Sequence, residues 1–586
     1  MFQNNVKRIF IASFVVVFLV GGYLLVSLAK KETQTIDEGV HISAGYSYLL
    51  TNDFRLNPEH PPLAKQLAAV PLLFTRPVIP TENKSWKSGD QWQFARDFLY
   101  ESGNNPQNIL FLGRLVIILM TILLGVIISR WTYELYGKVP SLVASILFFS
   151  SPIILTHGHL ITTDIPVALG VTATAYFFTK GVQANSLKWL IWTGVACAFS
   201  ADVKFTGVVL FALVPILYAI IHYSAKHRYP HLGLKHFLKM YVLMLFFTIF
   251  LALCTTGFQI NVSSNDPFLG ASHISQAQEF LTLVNPKLAW APKAYLWILR
   301  NVHFIAYPYV SGLLEFITHF EAGHESYFLG TYSDLGSPWY FPVAFFIKTR
   351  LAVVILLSLI LTLFVKRTFW AWKFKLFAES YGKKIIKWVK SWDPKYVVLV
   401  FTPLLFFLSA MQSKVNIGVR HILIVYPFVF ILVSALWTLR VNLKKLFKTV
   451  ITVILGVSIF STALIWPFPM AYFSEAIGGA PQGYKYLLDS NLDWGQNLPY
   501  LKEYLAQQNI QIICLGYFGQ GMTTDLGVSI RPLYDNETIQ DHEPLRCVVV
   551  ISAQLLYDRA NSFSWLQNRT PNAIIGYGLY IFDLRN

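Results

Sequence analysis

Chemistry-bearing residues gather just behind the first apolar run of this chain. Thr35-Ile-Asp-Glu-Gly39 supplies Asp37 and Glu38; Asn57-Pro-Glu-His-Pro-Pro-Leu-Ala-Lys65 supplies Glu59, His60 and Lys65 soon after. Acids at the mouth of an apolar bundle are costly to hold and mark places of use. Alone, an Asp-Glu pair reads as two solvated loop acids. Other polar groups on the same face change that balance. Pro61-Pro62 predicts a rigid, extended segment after Glu59 and His60. Asp164, in His157-Gly-His-Leu-Ile-Thr-Thr-Asp-Ile-Pro166, opens an apolar span, where it suits an N-cap as well as a catalytic acid. Lys204, in Ala201-Asp-Val-Lys-Phe-Thr-Gly207, interrupts apolar sequence. A lysine near membrane depth costs about 2.5–3.5 kcal/mol on insertion scales, less if it snorkels. Lys204 is therefore either a snorkelling turn residue or a phosphate ligand. Arg114 sits near the outer end of the second span, to snorkel or to pair with one of the acids. Arg420 and His421, in Gly418-Val-Arg-His421, are further anion-binding candidates. In Asp489-Ser-Asn-Leu-Asp-Trp-Gly-Gln496, Asp493 reads as the cap of a helix beginning near Gln496 and Asn491 as a turn residue. That segment, with Asp489, is expected near the mouth of the site. The spacings of His303, His319 and His324 fit no helix-borne zinc pair, and neither metal nor cofactor is expected.

The elements that must position these groups are mostly membrane helices. The chain is 54% hydrophobic and only 13% charged, against about 25% charged for soluble proteins. Apolar runs near 9–29, 109–129, 140–157, 162–180, 187–203, 205–222, 238–257, 341–365, 396–412, 420–439 and 449–467 predict about eleven spans. The first follows Lys7-Arg8, lacks a small-residue cleavage site, and reads as a retained signal-anchor. The piece Leu63–Phe74 is too short to span and is expected to lie along the membrane surface.

The net charge of +16 does not point to nucleic acid, because the positives sit in short loops between spans. With the N-terminus cytoplasmic, Arg130, Lys138, Lys180, Lys188, the 226–239 cluster, the 366–390 cluster and the 440–448 cluster all fall inside. The loops 30–108 and 258–340 and the C-terminus then fall outside. A transmembrane domain 1–467 is followed by 468–586, which has no spanning run. There, helix-like Leu498–Gln507 and strand-like Ile510–Gly516, Cys547–Ala553 and Tyr577–Leu584 predict a small extracytoplasmic α/β domain. Cys514 and Cys547 read as buried strand thiols rather than a disulfide.

Carboxylates beside fixed cations at a lipid–water boundary suit a substrate with an apolar tail and an anionic head, such as a polyprenyl-phosphate sugar. Phosphate leaves well once cations neutralise it, so one general base for the acceptor hydroxyl is the main protein requirement. Asp37, Glu59 or Asp164 can fill that role, with Lys204 and an arginine on the phosphate. No glycine-rich phosphate loop marks a nucleotide-sugar site.

Several of these motifs resemble the lipid-carrier-dependent glycosyltransferases of the type C membrane fold. Asp37-Glu38, Glu59-His-Pro-Pro-Leu-Ala-Lys65, Thr163-Asp164 and Lys204-Phe-Thr-Gly207 are similar to pieces of the protein O-mannosyltransferases and the bacterial lipid A aminoarabinose transferase. Asn416-Ile-Gly-Val-Arg-His421 and Asp489–Gln496 resemble another bacterial branch of that superfamily more closely. The matches run in order from about residue 30 to 500. The resemblance implies Asp37 as base or acceptor-positioning residue, Asp164 as its partner acid, Glu59 nearby and Lys204 on the carrier phosphate. It also implies a polyprenyl-phosphate sugar donor, a protein, lipid or glycan acceptor, and a bacterial cytoplasmic membrane. His60 stands where the aminoarabinose transferase has lysine, which weakens phosphate binding there at neutral pH. The C-terminal domain differs from the lectin-like repeats of eukaryotic mannosyltransferases, so acceptor recognition does not carry over. The competing readings are a transporter or flippase of lipid-linked sugars, which would hold ionisable groups near the bilayer midplane on broken helices, and a membrane-anchored scaffold.

Overall fold

A computed structural model describes residues 2–260, 306–373, 392–439, 444–533 and 547–585, with a few positions between 290 and 297. Lys375, Lys383, Lys384, Lys387, Lys390, Arg440 and His303 lie outside the described residues.

Helices dominate: α1 (Phe2–Lys31), α2 (Ile36–Thr51), α3 (Leu63–Ala69), α4 (Pro106–Tyr136), α5 (Lys138–Phe149), α6 (Asp164–Ala184), α7 (Leu187–Val203), α8 (Leu210–Ala225), α9 (Leu234–Thr255), α10 (Tyr307–Ala322), α11 (Tyr340–Lys348), α12 (Leu351–Lys373), α13 (Pro394–Ala410), α14 (Tyr426–Ser434), α15 (Lys444–Ile465) and α16 (Leu498–Gln507). Every apolar run expected to span coincides with helix. Among the described residues, seven helices are long and apolar enough to cross a membrane, or eight if α11 and the first part of α12, bent by 114°, count as one. The rest are shorter for local reasons. Pro152 starts a separate helical turn, Pro152–His157, after α5, and Thr349-Arg350 breaks α11 from α12. Helix α6 is buried nearly all round, whereas α1, α9 and α15 turn most of their surface outward.

Residues 36–51, expected as loop, form α2. Its N-terminus follows Thr35, whose backbone N–H and hydroxyl both donate to the Glu38 carboxylate at 3.0 Å, one half of a capping box. Gly45 lets the next segment close on α2, because a Cβ there would sit 2.1 Å from the Lys65 carbonyl oxygen. The expected extended stretch at Pro61-Pro62 is a turn instead, with Pro62 in the helical region (φ −76°, ψ −28°) at the entry to α3. Proline fixes φ but allows this ψ. Leu63–Phe74 folds as α3 and a second short helix, Leu72–Thr75. Ala64, Lys65, Ala68 and Ala69 face the core, and Phe74 is exposed at the tip.

Beyond α15 the chain makes short helical turns over the bundle, and Leu487, Leu488 and Leu492 join its core. Strands β1 (Ser326–Phe328) and β2 (Thr331–Ser333) form an antiparallel hairpin before α11. A second sheet, of β3 (Ile512–Gly516), β4 (Ser529–Pro532), β5 (Val548–Ser552), β6 (Ala573–Ile575) and β7 (Leu579–Asp583), has the order β4-β3-β5-β7-β6. Neighbours of β3 run parallel to it, and β7 runs antiparallel to β5 and β6. Leu501 and Leu505 of α16 cover one face, packing with Ile513, Val548 and Val550. Cys514 and Cys547 form a disulfide, contrary to the expected free thiols. The sheet register explains it. Cys514 pairs with Val549, and Cys547 lies two residues back on the same face, with the two Cα atoms 6.1 Å apart.

Candidate active site

Asp37 and Glu38 are adjacent in the first turn of α2 and do different work. Glu38 is fully buried and paired with Arg114 of α4. Arg114 Nε donates to Glu38 Oε1 at 2.8 Å and Nη2 to Oε2 at 2.6 Å. Its remaining donors reach the Thr33, Ala29 and Glu32 carbonyls at 2.8, 3.0 and 2.7 Å. Glu38 Oε1 also accepts from the Ile161 backbone N–H at 3.0 Å. This clamp fixes the end of α1, the start of α2 and the loop before α6. Burial works against the Glu38 charge, but Arg114 and these hydrogen bonds hold its carboxyl below the usual range.

Asp37 turns the other way. Its Oδ2 accepts from Arg420 Nη1 at 2.7 Å. Arg420 Nη1 also lies 3.9 Å from Asp164 Oδ2, and Lys204 Nζ donates to Asp164 Oδ1 at 2.6 Å. The result is an alternating row, Asp37–Arg420–Asp164–Lys204, drawn from four separate parts of the chain. Asp164 is the first residue of α6, and Lys204 follows the last residue of α7. Gly207 allows that junction to fold tightly, since a Cβ there would meet the Ser200 carbonyl oxygen at 2.0 Å. The Arg420 guanidinium lies over the Trp494 ring, 4.1 Å from its centroid.

Several buried polar atoms in and around this row have no hydrogen-bond partner among the described residues: Asp164 Oδ2, Arg420 Nε, His421 Nε2, His60 Nδ1 and His157 Nδ1. Buried polar groups are nearly always satisfied, so such a gathering marks space for a ligand or for water. The histidines are conspicuous. His41, one turn after Asp37 on α2, donates from Nδ1 to the Ile161 carbonyl at 2.8 Å, which leaves Nε2 as its basic nitrogen. Its ring lies 5.6 Å from that of His60. Burial keeps both imidazoles below the usual histidine range; Asp37 opposes this at His41, while Lys204 adds to it at His60.

The other expected residues lie around the row. Glu59 is half-buried and accepts from Asn57 Nδ2 at 2.8 Å. Burial raises its carboxyl, Lys65 opposes the rise, and Glu315 and Asp37 add to it. Lys65 is turned into the loop, donating to the Asn57 and His60 carbonyls at 2.6 and 2.8 Å; burial brings its ammonium down to about 7. Asn491 accepts from the Val419 N–H at 3.0 Å and donates to Tyr340 Oη at 3.0 Å, steadying the backbone before Arg420. Asp489 has its carboxyl raised by burial and lowered by Arg420. Asp493 caps no helix, because α16 begins later, at Leu498. It accepts from the Gly495 N–H at 3.2 Å instead, holding the turn that carries Trp494, and burial raises its carboxyl to about 6.

The structure thus brings Asp37, Asp164, Lys204 and Arg420 into contact, with His60, His421 and Asp489 close enough to act on them electrostatically. It commits Glu38 and Arg114 to each other and Lys65 to its loop. Sequence reasoning did not select His41, His157 or Trp494. Thr35-x-x-Glu38 is a helix-start pattern, and from it the Asp37/His41 spacing of one turn follows. No such local signal exists for Trp494. Among the described residues, no group of three or more His, Cys, Asp or Glu is placed to hold a metal ion.

Comparison with curated protein sequences returns no match. Among solved structures, the chain is similar to ArnT from Cupriavidus metallidurans bound to undecaprenyl phosphate, at 12% identity and a TM-score of 0.45, covering 97% of each chain. It is also similar to the apo oligosaccharyltransferase of Archaeoglobus fulgidus, at 10% identity and a TM-score of 0.44, covering 88% of this chain and 64% of that one. At TM-scores below 0.5 these likenesses are loose. Residues 107–256, from α4 through α9, match the profile of the family described as dolichyl-phosphate-mannose-protein mannosyltransferase, and over that stretch the chain is similar to it.

Proposed function

We propose that this multi-pass membrane protein is a glycosyltransferase that moves a sugar from a polyprenyl-phosphate donor to an acceptor on the outer face of the membrane. The observation that carries the reading is the alternating row with its unpartnered atoms. Two cations, Lys204 and Arg420, are held by two acids at helix ends, and Arg420 Nε and His421 Nε2 have no partner among the described residues. A phosphate diester entering here replaces carboxylate oxygens around the cations and uses those open positions. Arg420 then neutralises the phosphate in place of Asp37, which becomes available as a base. The acceptor hydroxyl passes its proton to Asp37, its oxygen bonds to the sugar's anomeric carbon, and the carbon–oxygen bond to phosphate breaks with its electron pair on the departing polyprenyl phosphate. Asp164 keeps Lys204 and Arg420 in place, and Glu59 and Asp489 stand at the approach. Asp37, Asp164 and Lys204 lie at helix ends, on the side of the predicted spans opposite the basic loops, which supports a surface site over a transport path.

The extracytoplasmic assignment of the site and of 468–586 rests on two supports. The basic loop segments fall on one side of the predicted spans, and the Cys514–Cys547 disulfide suits an oxidising compartment. The test is release of polyprenyl phosphate from a panel of polyprenyl-phosphate sugars, by the unaltered protein and by Asp37→Asn. Release that disappears in a folded variant supports the reading. Persistent release moves the base to Glu59 or Asp164, and no release from any donor defeats the proposal.

A further inference from the structure

A crevice of about 500 Å³ lies away from the row, between the start of α12 and the outer half of α15. That is ample for a ligand or for a large part of a lipid tail. Its walls are apolar: Leu351 and Ile355 on one side, Val453, Val457 and Leu464 on the other. Helix α15 is long and apolar enough to cross a membrane, and the first part of α12 is so together with α11; Ile355, Val457 and Leu464 are 47%, 59% and 68% exposed, so the crevice opens where hydrocarbon is the solvent. Its roof comes from the region beyond 468, with Gly479, Ala480, Pro481 and Tyr577.

The polar end decides what kind of lipid fits. Arg350 lines the crevice, but its guanidinium is taken up by the Leu147 carbonyl at 2.9 Å, Ser150 Oγ at 2.8 Å and the Ser458 carbonyl at 3.2 Å. Glu475 sits at the same end. Its carboxylate accepts from the Ser461 and Tyr472 hydroxyls and makes no ion pair within 4 Å among the described residues. Arg350 keeps its charge, because its partners are neutral, and it acts electrostatically on Glu475; this pair of opposite charges suits a zwitterionic headgroup, its ammonium on Glu475, over an anionic one.

We infer that this crevice binds a bilayer aminophospholipid, with an acyl chain between α12 and α15 and its primary ammonium on Glu475. The site is separate from the row and does not depend on the reaction proposed for it. The test places the full chain in bilayer discs of equal phosphatidylethanolamine and phosphatidylglycerol, then reads retained lipid by native mass spectrometry. The expected result is one phosphatidylethanolamine per chain, at least tenfold over phosphatidylglycerol. Val457→Trp and Ile355→Trp, at outward-facing positions, fill the crevice and remove the retained lipid. Glu475→Gln keeps a lipid but brings the ratio of the two close to one. Equal retention of both lipids by the unaltered protein, or retention unchanged by both tryptophans, would mean annular lipid only and overturns the inference. Retention of a polyprenyl phosphate in place of the aminolipid overturns it as well.

Discussion

Two groups of buried charge meet at residues 37 and 38, and they are built on opposite plans. In the Glu38–Arg114 clamp every guanidinium donor has a partner, and both side chains are closed to solvent. In the Asp37–Arg420–Asp164–Lys204 row, Arg420 Nε and Asp164 Oδ2 have no hydrogen-bond partner among the described residues. A buried charge that is fully satisfied is structural, and removing one partner leaves the other stranded. A buried charge with unmet hydrogen-bonding capacity is a place prepared for something else. The contrast separates framework from site without reference to any relative.

The comparison can be broken by substitution. The largest effect is expected from Asp37→Asn, which should lower polyprenyl phosphate release about 10²–10⁴-fold, the usual contribution of a general base, with little change in the unfolding midpoint. Arg114→Leu should do the reverse of this in kind, removing about 3–5 kcal/mol of stability by stranding Glu38, read as a large fall in thermal midpoint in detergent. If Asp37→Asn unfolds the protein and Arg114→Leu does not, the two groups have been assigned the wrong way round. Arg420→Lys keeps the charge but loses the planar guanidinium over Trp494. It should raise the KM for the donor about tenfold or more, in line with a lost charge-assisted hydrogen bond of about 1.5–3 kcal/mol.

The smallest effect concerns Asp493. Its folded carboxyl titrates near 6 because of burial, above about 3.9 in an unfolded chain. Between those values the folded state holds a proton that the unfolded state has lost, so stability falls as pH rises from about 4 to 6. Asp493→Asn should remove that pH dependence, at most about 3 kcal/mol across the range, measured as thermal midpoint against pH. An unchanged slope would show that this carboxyl does not titrate in that range.

Much of the fold is legible in the sequence because its signals are local. Apolar runs become helices wherever expected, and α16 covers Leu498–Gln507, the stretch read as helix-like, though not the earlier start near Gln496 that a cap at Asp493 implied. The three expected strands appear, shortened at their ends. Strands β4 and β6 escape notice because they are brief edge strands without a clear alternation. The disulfide depends on which strands become neighbours, which no local pattern states. The site is legible by residue type but not by partnership. Asp37, Asp164, Lys204 and Arg420 stand out as charges in apolar surroundings, yet Arg420 meets Asp37 across most of the chain's length. Glu38 and Arg114 stand out for the same reason, and only the closed geometry around them reveals that they are framework. His41 needed the start of α2 to be located first.

The adjacency of Asp37 and Glu38 has a mechanical consequence. Successive residues on an α-helix point about 100° apart, so the clamp and the row grip α2 from two directions at one level. Turning the helix about its axis, even by one residue's worth, withdraws Glu38 from Arg114 and Asp37 from Arg420 together. The helix is thus indexed, like a keyed shaft, by two neighbouring side chains. Inserting one residue between Asp37 and Glu38 therefore breaks the indexing, because no rotation of α2 restores both contacts.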